Sequence, residues 1–173
     1  KVLSESTTSQ PERLGSDFAA DVIEMNAQNI FVIRESLSQF TQALIIPDQR
    51  AATMEEAIIR TTLELMPDSG TTVRVDGAKA FQSLEINSRE GDTYLSKYNI
   101  TLDIGRRLNR NKNPQAENAI KEVEKEILRI WPNGKFLNNL DLAMVMKNVN
   151  SRIRYNGLAP KEILLRRDLL TNE

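Results

Sequence analysis

The chain has 173 residues, of which 40% are hydrophobic and 27% are charged, and its formal net charge is −1. This length and apolar content suit one compact domain that buries a substantial core. The sequence contains neither cysteine nor histidine, which excludes disulfide bonds, Cys/His zinc sites, serine–histidine triads and cysteine nucleophiles. Any hydrolytic or transfer reaction must therefore use carboxylates, lysine, hydroxyl groups or metal ions.

The ends of the chain differ in charge and composition. Residues 1–16 are rich in Ser and Thr and predict a flexible leader, which leaves residues 17–173 as one folded domain. No apolar run approaches the roughly 20 residues that cross a bilayer, so no membrane partner is expected. Ten basic residues fall in two stretches, 105–112 and 147–167: Arg106, Arg107, Arg110, Lys112, Lys147, Arg152, Arg154, Lys161, Arg166 and Arg167. This segregation favours contact with a phosphate backbone, and a solvated charged surface explains it equally well.

The first elements after the leader are strands. Three short apolar runs are separated by turn-forming residues and predict an antiparallel meander: residues 18–23, 30–33 and 40–46. Pro47 ends the third run. Thr53 and Glu56 match a capping box, which predicts a helix over residues 53–66.

The second half alternates strands with helices. The predicted elements in chain order are a strand over 71–75, a helix over 78–84, a short helix over 92–98, a strand over 100–104, a long helix, a helix over 137–154 and a last helix from 160. The long helix is the clearest, because Asn113 is a favourable N-cap and Pro114 suits the first helical position. A meander followed by right-handed crossovers predicts an α/β fold, a five-stranded mixed sheet with three antiparallel strands, then two parallel strands, and helices on both faces.

Three carboxylates stand out by their positions in these elements. Asp21 lies inside the apolar first strand, Asp76 follows the fourth strand, and Glu117 lies in the first turn of the long helix. If the first and fourth strands are neighbours, the three side chains converge, and such like charges raise one another's pKa unless a cation binds. Oxygen ligands suit Mg²⁺ or Mn²⁺, and two such ions about 4 Å apart support in-line phosphoryl transfer.

Each carboxylate also has an ordinary structural explanation. Asp21 suits a charge at a strand edge, Asp76 suits a cap on the next helix, and Glu117 suits an i,i+4 pair with Lys121. It is their joint occurrence in this order of elements that favours a metal site.

Several segments resemble the integrase catalytic core of retroviruses and LTR retrotransposons. Residues 73–81, Val-Arg-Val-Asp-Gly-Ala-Lys-Ala-Phe, are similar to the motif that carries the second aspartate of that family. Residues 113–117, Asn-Pro-Gln-Ala-Glu, resemble its Asn-Gly-x-x-Glu motif, and residues 30–46 resemble its second and third strands. Residues 155–160 resemble its Gly-x-x-Pro signature, and the likeness spans nearly all of residues 18–167.

This resemblance implies a fold and a function. It implies an RNase H-like domain over residues 17–173, in which Asp21, Asp76 and Glu117 bind two Mg²⁺ or Mn²⁺ ions. It implies an enzyme that processes the 3′ ends of retroelement DNA and joins them to target DNA. The expected partners are those DNA molecules and further copies of the chain, as a homodimer or higher oligomer. The expected location is the nucleus, after a cytoplasmic nucleoprotein complex.

Polar residues around the third acid are candidates for nucleic-acid binding. They precede or follow Glu117 closely enough to contact phosphates around the scissile bond: Arg110, Lys112, Asn113, Gln115 and Lys121.

The sequence departs from the family pattern in three places. The glycine that follows the second aspartate lies one position earlier than in the family, at Gly77. Pro114 replaces the family's glycine before the long helix. The segment between the second and third acids is longer than usual, with the insertion around residues 87–93. A retroviral alignment of residues 113–115 would place Lys121 at the glutamate position and leave Glu122 as the alternative ligand. We favour Glu117, because it fits the Asn-x-x-x-Glu spacing of retrotransposons.

Two other functions remain open from the sequence. One is a decayed or domesticated integrase core that binds DNA or protein without catalysis. The other is a different RNase H-like nuclease or transposase.

Overall fold

The computed structural model describes residues 13–77, 79–89, 94–105, 113–154 and 157–171. Within these ranges the strands are β1 (Asp17–Met25), β2 (Gln28–Glu35), β3 (Thr41–Ile46), β4 (Thr71–Val75) and β5 (Ile100–Ile104). The helices are α1 (Ala51–Thr62), α2 (Lys79–Arg89), α3 (Tyr94–Lys97), α4 (Pro114–Ile130), α5 (Asn139–Asn150) and α6 (Pro160–Thr171). None of the helices in these ranges is long and apolar enough to cross a membrane.

The five strands form one mixed sheet in the order β3-β2-β1-β4-β5. The β1–β2 and β2–β3 pairs are antiparallel, while β1–β4 and β4–β5 are parallel. The chain therefore makes a meander and then crosses over twice, as the sequence predicted. The prediction of a mixed five-stranded α/β fold is confirmed.

The sheet is buried on both faces, and β2 shows this most clearly. Its residues alternate between two apolar clusters, with Phe31 and Ile33 in one and Ile30 and Val32 in the other. The first cluster packs under α1, α2 and α3, and the second packs under α4 and α5. This two-sided burial explains why β2 reads as a continuous apolar run rather than an alternating one.

The first hairpin is tighter than the sequence predicted. The sequence predicted strands over residues 18–23 and 30–33, but β1 extends to Met25 and β2 already begins at Gln28. Asn26 and Ala27 form the turn, with φ of 52° and 60°. Two consecutive residues in the left-handed region match the twist of a two-residue hairpin, which lengthens both strands.

The predicted capping box of α1 is wrong. The helix begins at Ala51, and its N-cap, Arg50, makes no side-chain capping bond. Asp48 replaces the cap, because its carboxylate accepts hydrogen bonds from the Arg50 N–H at 2.9 Å and the Thr53 hydroxyl at 2.6 Å. The Thr53 hydroxyl, which the sequence predicted as the cap, instead lies in the first turn of α1 and donates to Asp48.

The capping box that does form belongs to α5. Asn138 accepts from the Asp141 N–H at 2.8 Å, and the Asp141 carboxylate accepts from the Asn138 N–H at 3.1 Å. This reciprocal pair fixes the start of α5 at Asn139, two residues after the predicted start at 137.

The turn between β2 and β3 is organised by one buried carboxylate. Glu35 is 1% exposed. It accepts hydrogen bonds from the N–H groups of Gly15, Leu37 and Ser38 and from the Ser38 hydroxyl, at 2.6 to 3.2 Å. The contact with Gly15 ties the end of the predicted leader to the sheet. Residues 1–12 of that leader lie outside the described residues.

We predict that Glu35→Gln lowers the free energy of unfolding by about 2 to 3 kcal/mol, because an amide cannot accept from all of these buried donors. Urea denaturation measures the change. The matched control is Glu64→Gln at an exposed position, which we expect to change stability by less than about 0.5 kcal/mol. Equal effects of the two substitutions would contradict the role of Glu35.

Candidate active site

The first two candidate acids are neighbours across the β1–β4 pair. The parallel register joins Asp17 to Thr72 and Ala19 to Arg74. Continued by two residues, the same register sets Asp21 beside Asp76, where β4 has just ended. Paired residues of parallel strands project to the same face of a sheet. Both side chains therefore project toward the face that α4 covers.

The third acid reaches the same region from α4. Asp21 is partly buried, and burial is the largest cause that raises its pKa to about 6. The hydrogen bond from the Val22 N–H opposes this shift, whereas the negative charges of Asp76 and Glu117 add to it. Because both carboxylates act on Asp21, the fold brings the three predicted acids to one end of the sheet.

The donor set of this acid group fits a divalent cation. The three side chains supply only carboxylate oxygens. Burial first, and the charges of Asp76 and Glu117 second, raise the pKa of Asp21 and disfavour its ionised form, and a bound cation would offset this effect. In the described parts of the chain, however, no three acidic side chains are close enough to form a ready-made metal site. A bound cation would have to draw the carboxylates closer together.

Glu122, the alternative third acid, is engaged elsewhere. It accepts two hydrogen bonds from Arg154, at 2.6 and 2.7 Å, and it forms an ion pair with Arg34 at 2.9 Å. Burial alone would raise the pKa of Glu122, but the hydrogen bonds from Arg154 and Arg34 outweigh it and leave the pKa below its usual value. Glu122 thus neutralises two arginines, one of them with a side chain only 4% exposed.

Arg34 is a residue that the sequence analysis did not single out. It also donates from Nε to the Thr41 hydroxyl at 2.9 Å, so it joins β2, β3 and α4. Its only sequence signal is a lone cation at the end of an apolar strand. The partner on α4 lies 88 residues away, beyond the reach of any local pattern.

The predicted nucleic-acid contacts fall into three groups. Arg110 and Lys112 lie outside the described residues. Lys121 is exposed and Gln115 is partly buried, and both line a cleft of about 480 Å³ at the start of α4. Asn113 instead is 5% exposed, and its amide donates to backbone carbonyls of β1 and β4.

Comparison with known proteins identifies the fold. No protein-family model and no curated protein matches the sequence. Among solved structures, the chain is similar to the catalytic core domain of BIV integrase, with a TM-score of 0.70 and 18% sequence identity. The match covers 92% of this chain and 99% of that one. The RNase H-like fold of an integrase catalytic core is therefore confirmed, as the sequence resemblance predicted.

The acid group predicts how stability depends on pH without metal. The pKa of Asp21 is about 6 in the folded protein against 3.8 for an ordinary aspartate. Between these values the folded state binds more protons than the unfolded state, so stability falls as the pH rises through this window. We predict that Asp21→Asn stabilises the protein at pH 7 by about 1 to 2 kcal/mol, after allowance for the partial exposure of Asp21.

Urea unfolding in a chelator between pH 4 and pH 8 measures this effect. The gain should shrink as the pH falls from 6 and be mostly lost near pH 4, where Asp21 is protonated in the folded state and about half protonated in the unfolded state. Asp103→Asn, at an exposed position on β5, serves as the control and should show no gain. A loss of stability in the Asp21 variant at pH 7 would contradict the predicted cost of the acid group.

Proposed function

We propose that the chain is the catalytic core of a retroelement integrase, which processes the 3′ ends of element DNA and joins them to target DNA by two-metal-ion phosphoryl transfer. The observation that carries the proposal is the electrostatic coupling of Asp21 to Asp76 and Glu117 on an integrase-core fold. The absence of cysteine and histidine also leaves carboxylates as the main metal donors.

In this mechanism Asp21, Asp76 and Glu117 hold two divalent cations, Mg²⁺ or Mn²⁺. When bound, such paired cations activate the attacking hydroxyl and stabilise the leaving oxygen of an in-line displacement. The contribution of the chain is to keep the three carboxylates at one end of a rigid sheet. The more exposed Glu117 can approach the two strand acids from α4.

The cleft beside α4 is the proposed binding surface for the DNA backbone. Lys121 lies one turn beyond Glu117 and supplies an exposed ammonium group to pair with phosphate. Gln115 lines the same cleft, and to contact phosphate its amide would have to give up the hydrogen bonds that it makes with the Ser36 hydroxyl at 2.9 Å and the Arg34 carbonyl at 3.4 Å. These contacts would orient a phosphodiester without reading its sequence.

The proposal implies further partners. Both ends of the element must be held at once, so the working form is a homodimer or a higher oligomer. The proposed site of joining to target DNA is the nucleus, which the element would enter from a cytoplasmic nucleoprotein complex.

We predict that Asp76→Asn and Glu117→Gln each reduce Mn²⁺-dependent strand transfer at least about 100-fold. Loss of a partner that merely orients metal ligands costs 10- to 100-fold, and loss of a ligand should cost more. The assay follows joining of labelled element ends to a second DNA, and its reversal on a branched product. Circular dichroism would establish that the variants remain folded.

Glu122→Gln distinguishes the two possible alignments of the motif, in which either Glu117 or Glu122 is the third metal ligand. It leaves Arg34 and Arg154 without their shared counter-ion, so we expect lower stability. At a temperature where the variant is folded, we expect it to retain most of its Mn²⁺ affinity. The reverse pattern, with metal binding lost in Glu122→Gln and kept in Glu117→Gln, would favour the other frame.

The open alternative is a core that binds DNA or protein without catalysis. It predicts that Mg²⁺ and Mn²⁺ change neither the melting temperature nor DNA binding. The fact that the described acids do not form a compact site without metal is compatible with it. Titration of the wild-type protein with Mn²⁺ separates the two proposals before any activity is measured.

A further inference from the structure

Asn113 stands at the N-cap of α4 but does not cap it. Asparagine is among the preferred N-cap residues because its side chain accepts from the first free N–H groups of a helix. Here the side chain makes no such bond, and the residue is 5% exposed. Its amide is directed into the protein instead.

The Asn113 amide joins the two strands that carry the first two acids. Its Nδ2 donates to the carbonyl of Ala20 at 3.3 Å and to the carbonyl of Arg74 at 3.1 Å. Ala20 immediately precedes Asp21, and Arg74 lies two residues before Asp76. The side chain therefore bridges β1 and β4 directly beside both aspartates.

The backbone of the same residue contacts the third acid. The Asn113 carbonyl accepts from the N–H of Glu117 at 3.0 Å, in the first turn of α4. One residue thus makes hydrogen bonds to backbone groups within two residues of all three acidic positions. The parallel pairing of β1 with β4 ends at Ala19 and Arg74. The Asn113 amide therefore connects the two strands at the point where their own pairing stops.

We propose that Asn113 is a positioning residue that sets the separation of Asp21, Asp76 and Glu117, and so makes the acid group able to bind metal. The inference rests on the proposed function. It also differs from the phosphate contact that the sequence suggested for Asn113, because a buried amide donating to two carbonyls is not free to hold DNA. Its Oδ1 is buried with no hydrogen-bond partner in the described part of the chain. Such an atom costs stability, so helix stability alone does not explain this arrangement.

Asn113→Ser tests the proposal. Serine caps a helix about as well as asparagine, but its single hydroxyl is too short to bridge two strands. We expect the dissociation constant for Mn²⁺ to rise by about 10- to 100-fold, the usual effect of removing a group that orients metal ligands. Calorimetry or the electron paramagnetic resonance of free Mn²⁺ measures the affinity without depending on activity.

Two substitutions to serine serve as matched controls. Asn150 is also a buried bridging amide, since it accepts from the Thr41 N–H at 2.9 Å and donates to the Thr41 carbonyl at 2.8 Å. It lies far along the chain from the acids, and Asn150→Ser should lower stability without changing Mn²⁺ affinity. Asn138→Ser alters the functional cap of α5 and should also leave the affinity unchanged.

The outcomes separate the inference from the proposed function. If the wild type binds no Mn²⁺, the proposed function fails. If the wild type binds Mn²⁺ and Asn113→Ser binds it equally well, only the positioning role fails. An equal loss of affinity in Asn150→Ser would mean general loosening of the fold, and would likewise overturn the positioning role.

A second measurement needs no variant and applies even if Asn113→Ser does not fold. In wild-type protein labelled with ¹⁵N and ¹³C, the Asn113 side-chain amide protons should exchange slowly with solvent and remain protected when Mg²⁺ is added. The carboxyl carbons of Asp21, Asp76 and Glu117 should shift together in the same titration. Fast exchange of the Asn113 amide in the Mg²⁺-bound protein would show that it leaves the two strands, and would refute the proposal.

Discussion

The parallel pairing of β1 with β4 is the constraint on which the rest of the candidate site depends. It is the only contact in the described sheet that joins the antiparallel meander to the crossover half of the chain. Its register brings Asp21 and Asp76 to the same face and the same end of the sheet. An ionised Asp21 in this position opposes folding when no cation is bound, because burial first and the charges of Asp76 and Glu117 second disfavour its ionised form. The apolar clusters on the two faces of the sheet offset this loss of stability.

Helix α4 must also pack on this sheet with one rotation about its own axis, so that Glu117 faces the two aspartates. Apolar packing alone would permit several rotations. The buried residues of α4 are Ala116, Ala119, Val123, Glu126 and Ile127, and all but Glu126 are small or branched apolar side chains. Polar contacts select one of these rotations. At the start of the helix Asn113 bridges β1 and β4, and in its middle Glu122 pairs with Arg34 and Arg154. Buried ion pairs contribute little net stability but penalise other arrangements strongly, because each alternative leaves a buried charge unpaired.

The sequence predicted the elements well where local chemistry determines them. The bounds of β4 and β5 were correct, because each is a short β-rich run between clear turn signals, and Pro114 marked the first residue of α4. The start of α1 was missed, since Asp48 competes with the expected cap from outside the helix. Arg34 could not be recognised, because Glu122 reaches it only in the folded chain. Glu35 has local partners in Leu37 and Ser38, but its burial and its bond from Gly15 depend on the tertiary fold. Asn113 was recognised as important but was given a surface contact, because a sequence does not reveal the direction of a side chain.

The choice between Glu117 and Glu122 illustrates what helical geometry adds to motif spacing. At 3.6 residues per turn, five residues rotate the side chain by about 140°, so the two glutamates cannot face the same group. Lys121 is rotated by only about 40° from Glu117, and it lines the cleft beside α4. Glu122 lines the same cleft, where it neutralises Arg34, whose side chain is buried between β2 and α4. If Glu122 were to turn toward the two aspartates, it would abandon Arg34 in the interior and expose the apolar face of α4. The packing of α4 therefore favours Glu117 as the third acid, independently of any motif.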